Sequence, residues 1–293
     1  MGKQMDLIGV ELENVEASGA GGSVWWCGGG RVAVDHLSDA LKSAGFVPPA
    51  PPSPVSALTR AMRSLAGQHD LSRMLGEGDK RIRGSRALVE ERRSGNSLDY
   101  AVALRARIEA DVLVIDPEDE AVRPETAAQL RAAFEEALRE FTLPDVTSWL
   151  VRVLRRLDAV SLRDAGGVYY IPPRGMGVWS KLSDVLRVSV GLSLYTMPTM
   201  RSAEAAEAIF NAVAREMQDL CVAFADETAE GGLGQRALNA RKDDLRAARE
   251  KLVRYEALLE RSSAALHSQL DEVDNALTAA ILLAEADADS KAA

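Results

Sequence analysis

The sequence predicts an α+β protein: a body of mixed antiparallel sheet and helix with winged-helix-like helix-and-hairpin units, followed by a long antiparallel α-helical hairpin. Three observations predict it. From Ser202 to about Glu285 apolar residues recur every three or four positions, the period of a helix that buries one face. Earlier in the chain, Tyr100, Val102 and Leu104 and then Val112 and Val114 alternate with other residues, the period of a half-buried strand. Only 5% of residues are aromatic and 47% are hydrophobic, with Ala, Leu, Arg and Glu abundant, a composition that favours helix.

The elements follow in order. Residues 1–47 hold short strands punctuated by glycine clusters in LIGVELENVEASGAGGSVWWCGGGRVAV, then a helix with Asp35 as N-cap that ends at Gly45. Residues 48–54 are a proline-rich connector, PPAPPSP, which reads as a stiff spacer. Residues 55–200 form the body. A helix opens at Ser53-Pro54, with Val55, Leu58, Met62 and Leu65 on one side. KRIRGSRALVEERR, LDYAVALRARIEA and DVLVIDPE then form a three-stranded meander. A helix from Pro124 to Phe141 precedes LPDVTSWLVRVLRRLDA, whose apolar stripe is Val146, Trp149, Leu150, Val153, Leu154 and Leu157. A hairpin turns at Asp164–Gly167, a helix spans Gly177 to Val190, and LSLYTMP is a last strand. Residues 201–293 are the helical arm, broken by Gly231, Gly232 and Gly234.

Charge narrows the function classes. A net charge of -9 argues against a surface coated in basic groups, yet the sign is segregated. Residues 60–93 hold nine basic and five acidic side chains, whereas residues 94–141 hold five and eleven. A plain start, MGKQMDL, and no apolar run long enough to span a bilayer place the protein in the cytoplasm, without contact to a membrane. Cys27 and Cys221 are far apart and form no C-x-x-C pair, and Cys27 reads as a buried, inert thiol.

Catalytic motifs are not found, so the chain reads as no enzyme, with no metal and no cofactor. His36, His69 and His267 fall in different elements without ligand spacing. GGGRVAVDH runs on into a strand, and in RGMGVWSKL Ser180 precedes Lys181, the reverse of a phosphate loop. DPEDE, from Asp116 to Glu120, lacks the alternating ligands of a calcium loop.

Two helix-then-ribbon units carry arginines. Winged-helix proteins place such a helix in the major groove and the ribbon on phosphate. The candidate contacts are Arg60, Arg63, Lys80, Arg81, Arg83 and Arg86 in the first unit, and Arg152, Arg155, Arg156 and Arg163 in the second. Against this, 28 of the 35 basic residues are arginine, so arginine on a solvated helix face is ordinary in this chain. The run LVRVLRRLDAVSLRDAGGVYYIP, the Trp-bearing glycine-rich N-terminus, PPAPPSPVSALTRAMRSL and the C-terminal arm together resemble a family of functionally uncharacterised bacterial and phage proteins with a C-terminal coiled-coil arm. The resemblance implies this layout and an origin in a phage or mobile element, and carries over no catalytic residue.

The arm itself bears a leucine every seventh residue, Leu238, Leu245, Leu252, Leu259 and Leu266. A parallel zipper needs a second apolar position three residues on, and there stand Arg241, Ala248, Tyr255, Ser262 and Gln269. The lead-in FADETAEGGLGQ is acidic and glycine-broken, which excludes a basic-region zipper. The stripe therefore packs against Ile209, Val213, Met217, Leu220 and Phe224 of the preceding helix. At 1.5 Å per residue the second arm would approach ~75 Å and outrun the first. Its tail, Leu266, Leu270, Val273, Leu277 and Ile281, then needs cover from the body, a second copy or a partner.

The leading expectation is a non-enzymatic assembly or scaffold protein that uses the arm for self-association, as a homo-oligomer, or for docking a protein partner. The alternative is a nucleic-acid-binding protein oligomerised by the arm; a second alternative is an enzyme of unrecognised class.

Overall fold

The computed structural model describes residues 21–28, 30–66, 86–94, 97–116, 124–164 and 167–292. In chain order these form β1 (Gly22–Cys27), β2 (Val32–Ala33), α1 (Val34–Ser43), α2 (Pro54–Ala66), β3 (Arg86–Ser94), β4 (Ser97–Glu109) and β5 (Val112–Ile115). There follow α3 (Pro124–Arg139), β6 (Glu140–Phe141), α4 (Leu143–Arg156), β7 (Val160–Ser161), β8 (Tyr169–Ile171), a single 3-10 turn at Pro173–Gly175 and α5 (Met176–Val190). β9 (Ser193–Pro198), α6 (Ala203–Glu230), α7 (Gln235–Leu259) and α8 (Ala264–Ala292) complete the chain. The protein is mixed α+β with small antiparallel sheets, and its C-terminal helices pack together. No helix among the described residues is long and apolar enough to cross a membrane.

Two compact units divide the chain. Among the described residues, one comprises residues within 28–150 and 184–192; the other comprises residues 21–27 and those within 151–183 and 193–292.

In the first unit the meander β3-β4-β5 is antiparallel throughout, and α2 and α3 pack on each other beside it. Ala57, Leu58, Ala61, Met62 and Leu65 of α2 meet Leu88, Leu104 and Leu113 of the sheet and Leu130 and Phe134 of α3 in one core. Burial of these side chains from water drives the packing, at roughly 25 cal/mol per Å² of apolar surface. Ser53 accepts a hydrogen bond from the Ser56 N–H, the N-cap expected of the Ser53-Pro54 start. Trp149 of α4 is fully buried and donates its indole N–H to the Val47 carbonyl at 3.1 Å, so the connector is pinned by its backbone.

Two boundaries differ from those the sequence predicts. α1 starts at Val34 with Ala33 at its N-cap, and Asp35 sits inside the first turn, where its charge favours the helix dipole without a capping bond. α3 ends at Arg139, because Glu140 and Phe141 turn extended and pair with Ala33 and Val32 as β6. The β4–β5 turn is made by Ala110 and Asp111, both with positive φ (47° and 65°), between the paired residues Glu109 and Val112. Two consecutive left-handed residues are what a tight hairpin requires, and alanine is a poor occupant there.

In the second unit four strands lie in the order β7-β8-β1-β9, all neighbours antiparallel. The ribbon after α4 is therefore no free wing, since β8 pairs on its far side with β1. Tyr170 of β8 is buried on one face of this sheet, 6.2 Å from the ring of Tyr255 in α7. Trp26, stacked on Tyr169, and Trp179 of α5 lie together, and Trp179 donates to the Thr196 hydroxyl at 3.0 Å.

The arm is three helices. α6 ends as expected at Gly231 and Gly232, both with positive φ. The expected second arm, however, breaks at Glu260, which adopts φ 51°, and α8 restarts at Ala264. Glu256 builds the break: its carboxylate accepts the Ser263 N–H at 2.8 Å and contacts His267 Nε2 at 3.0 Å, while its carbonyl accepts the Arg261 N–H. Burial pushes the Glu256 carboxyl upward, but the bonds from His267 and Ser263 outweigh it and leave the pKa lowered.

α8 packs against both α6 and α7. Leu238, Leu245 and Leu252 of the leucine series share a core with Ile209, Val213, Met217 and Phe224 of α6, as expected of the packed stripes. Leu266, Leu270, Val273 and Leu277 are buried in the same core, and Ile281 packs against its margin. The tail is covered by the chain itself, which removes the need for an outside partner at these five residues. Charge matches the packing. α7 carries seven basic and four acidic side chains, while α6 and α8 carry seven and six acidic ones against one basic each. Arg241 pairs with Glu227 of α6 and Lys242 with Asp274 of α8.

Two outcomes check these points. Ala110→Gly relieves the left-handed alanine and raises unfolding stability by up to about 1 kcal/mol in a denaturant melt. Leu270→Ala empties a fully buried site in the three-helix core and lowers stability by about 2–5 kcal/mol, with a loss that does not depend on protein concentration.

Candidate functional site

The turn from α4 into β7 gathers the charged side chains of the second unit. Asp158 follows the helix with a left-handed φ of 57°, a conformation aspartate tolerates better than most residues. Its carboxylate takes a two-pronged bond from Arg254 of α7, Nε to Oδ2 at 3.0 Å and Nη2 to Oδ1 at 3.1 Å, and also pairs with Arg174. Its carbonyl accepts the Tyr255 hydroxyl at 2.6 Å. One residue on, the Ala159 carbonyl accepts Lys251 Nζ at 2.9 Å, and the same ammonium contacts both oxygens of Glu216 in α6 at 2.7 and 2.9 Å.

Of these groups Asp158, Ala159, Glu216, Lys251 and Arg254 line a cleft of ≈ 700 Å³ formed by α4, β7, α6 and α7. Lys251 is buried and its pKa is lowered: desolvation disfavours the ammonium, Glu216 opposes that, and the charges of Arg155 and Arg254 add to it. Arg174 is lowered by burial and by Arg254. Desolvation pushes the Tyr255 phenol well above its ordinary value and Tyr170 up to about 12. Arg215 donates to the Ser161 carbonyl at 2.7 Å and pairs with Asp164 at 2.6 Å on the cleft wall. The floor is saturated with internal partners, whereas the mouth holds Arg155 and Arg163, both exposed and without an ion pair among the described residues.

The sequence candidates fare unequally. Arg152, Arg155 and Arg156 are exposed together on α4, and Arg155 and Arg163 both line the cleft. In the first unit Arg60 is tied to Asp145 and half-withdrawn from solvent, and Arg86 donates to the Thr59 hydroxyl at 3.1 Å. Arg63 is exposed beside a groove of ≈ 680 Å³ between α2 and α3, where Arg31 binds Glu136 and Glu140. Lys80, Arg81 and Arg83 lie outside the described residues, as does His69. His36 is exposed and His267 bonds Glu256. Cys27, read as buried, is exposed at the last position of β1, 3.8 Å from the Tyr195 hydroxyl, because the strand ends there at Gly28. Cys221 is buried, and burial raises its thiol pKa. Among the described residues no three His, Cys, Asp or Glu side chains are grouped to hold a metal.

Sequence reasoning missed Asp158, Arg174, Arg215, Lys251, Arg254 and Tyr255. A signal existed for Lys251: with Ala248, Leu252 and Tyr255 it shares the stripe that α7 buries, and a lysine there demands a partner.

Fold and cleft together define a helix-rich α+β protein in which a three-helix bundle is bound through buried charges to a four-stranded antiparallel sheet. The sequence matches the family of unknown function DUF6744 over residues 21–288, and the chain belongs to that family. No curated protein and no solved structure matches it.

Tyr255 gives a pH test. Its folded pKa lies above the unfolded value of 10.0, so the folded state keeps a proton that the unfolded chain releases, and stability falls as pH rises through ~10. Tyr255→Phe loses the bond to the Asp158 carbonyl and about 1 kcal/mol at neutral pH. Melts at increasing pH then show a shallower alkaline decline in the variant than in the wild type.

Proposed function

We propose that the chain is a non-enzymatic binding protein that holds the phosphate backbone of a nucleic acid on Arg152, Arg155, Arg156 and Arg163. One observation carries the reading: these four side chains are exposed and have no ion-pair partner among the described residues, whereas Arg174, Arg215 and Arg254 nearby are each bound to Asp158 or Asp164. Arg155 and Arg156 stand in the last turn of α4, where the helix dipole alone would favour them. That account does not reach Arg152, a turn earlier, or Arg163, beyond the helix. A cluster of unpaired guanidinium groups on a chain of charge -9 is relieved by a polyanion, and guanidinium forks match phosphate. Because β8 is held inside a sheet, a projecting wing does not enter the reading. It rests on backbone contact, which is indifferent to base sequence.

Assembly, which the leucine arm carried in the sequence, is a second reading. It is favoured by an open sheet edge and no longer by the arm.

Fluorescence anisotropy with single- and double-stranded DNA and RNA tests the first reading. Four phosphate contacts on duplex DNA give a slope of log K against log salt of about -3 to -4, or roughly a hundredfold weaker binding from about 50 to 200 mM salt. Changing Arg152, Arg155, Arg156 and Arg163 to alanine flattens that slope, while Arg63→Ala leaves it unchanged. Absence of binding at low salt ends the reading.

A further inference from the structure

We infer that a second copy of the chain adds to the four-stranded sheet at β9, edge to edge and antiparallel, about a two-fold axis. β9 closes the order β7-β8-β1-β9 and pairs on one side only among the described residues. The Thr199 N–H bonds the Gly21 carbonyl at 3.1 Å, which marks Thr199 as a position bonded inward to β1. Bonded positions alternate along an antiparallel ladder, so Met197 and Tyr195 also bond inward, while Leu194 and Thr196 turn their N–H and C=O groups outward. Pro198, the next outward position, has no N–H to waste.

The short edges are blunted: β2 and β6 have two residues each. β7 has two residues, and Arg215 occupies the Ser161 carbonyl. β5 has four residues and lies between Asp111 and Asp116. In sequence β3 reads RALVEERRS, with four charged residues in succession. Short length and charge are how proteins keep edges from pairing. β9, with the sequence SLYTMP, has six residues and no charge, and Tyr195 and Met197 on it are 43% and 56% exposed.

The occupant follows from charge. Two copies of a chain of charge -9 repel over most of their surfaces, yet residues 188–200 contain no charged side chain. Antiparallel pairing about a two-fold requires a strand to complement itself, and an uncharged strand brings no like charges together. The register centred on Thr196 sets Tyr195 against the partner's Met197 twice, an aromatic–thioether contact that covers both exposed side chains. Thr196 exchanges two hydrogen bonds with its own counterpart, and each Leu194 N–H reaches the carbonyl of the partner's Pro198.

The test is the oligomeric state of the full chain, by sedimentation over a range of concentrations, in wild type, Leu194→Pro and Met197→Lys. Leu194→Pro removes an outward donor without touching a bond to β1, and Met197→Lys supplies the missing charge at an exposed site, where folding is not at stake. The expected result is a dimer for the wild type and at least a tenfold higher dissociation constant in both variants, with unchanged circular dichroism. A wild type that stays monomeric at the highest concentration, or a dimer that both variants leave intact, overturns the inference. Substituting Arg152, Arg155, Arg156 and Arg163 leaves the dimer unchanged, so self-association and nucleic-acid binding fail separately.

Discussion

The carboxylate of Asp158 is the contact on which the second unit depends. It is a single left-handed residue at the end of α4, yet α7 and the turn after β8 both bond to it, through Arg254 and Arg174. Removing one member of such a partly buried set would leave a charge without a counterion, a larger loss than the bond itself contributes. The neighbouring Lys251–Glu216 pair repeats the device one residue along, so that two successive carbonyls, of Asp158 and Ala159, are both held by side chains of α7. The helix that looked in the sequence like an arm reaching outward is thus bolted by charge to the strand beneath it.

Electrostatics also explains why the three helices choose one another. Apolar burial has no direction, and the leucine stripe of α7 would accept many neighbours. A basic helix packed against two acidic ones narrows the choice, because α7 supplies counter-charges to both α6 and α8, which also meet each other directly. The same feature accounts for the low yield of free basic groups: most arginines of the bundle answer a carboxylate within it. Among the described residues Arg201 and Arg236 of the same unit are also without an ion pair; the arginines of α4 and its following turn differ in lying within twelve residues of one another.

Much of the architecture is legible in the sequence because periodicity and turn chemistry are local. The helix start at Ser53-Pro54, the meander, the hairpin after α4 and the stop at Gly231 all follow from a few adjacent residues. The break at Glu260 was hidden for a physical reason. The leucine period runs on unbroken through Leu266, and the break is made by Glu256 and Ser263, whose capping geometry carries no hydrophobic signal. The site was legible only in half. Arg152, Arg155, Arg156 and Arg163 show as a cluster in the chain, but whether an arginine is spent depends on carboxylates far away in sequence. Asp145 spends Arg60 and Asp158 spends Arg254, across 85 and 96 residues. No spacing rule links such pairs.

The placement of β1 bears on how the protein comes to be folded. Gly22 lies opposite both Ile171 and Pro198, so β1 finds its neighbours only after nearly the whole first unit has been made. Closing so long a loop costs chain entropy before any ladder bond repays it. In the three-helix bundle, by contrast, α6–α7 and α7–α8 are sequential neighbours, and the α6–α8 contact closes over the length of α7 alone. Order of assembly is thereby written into the topology: β1 must wait, unpaired, until β8 and β9 have been made.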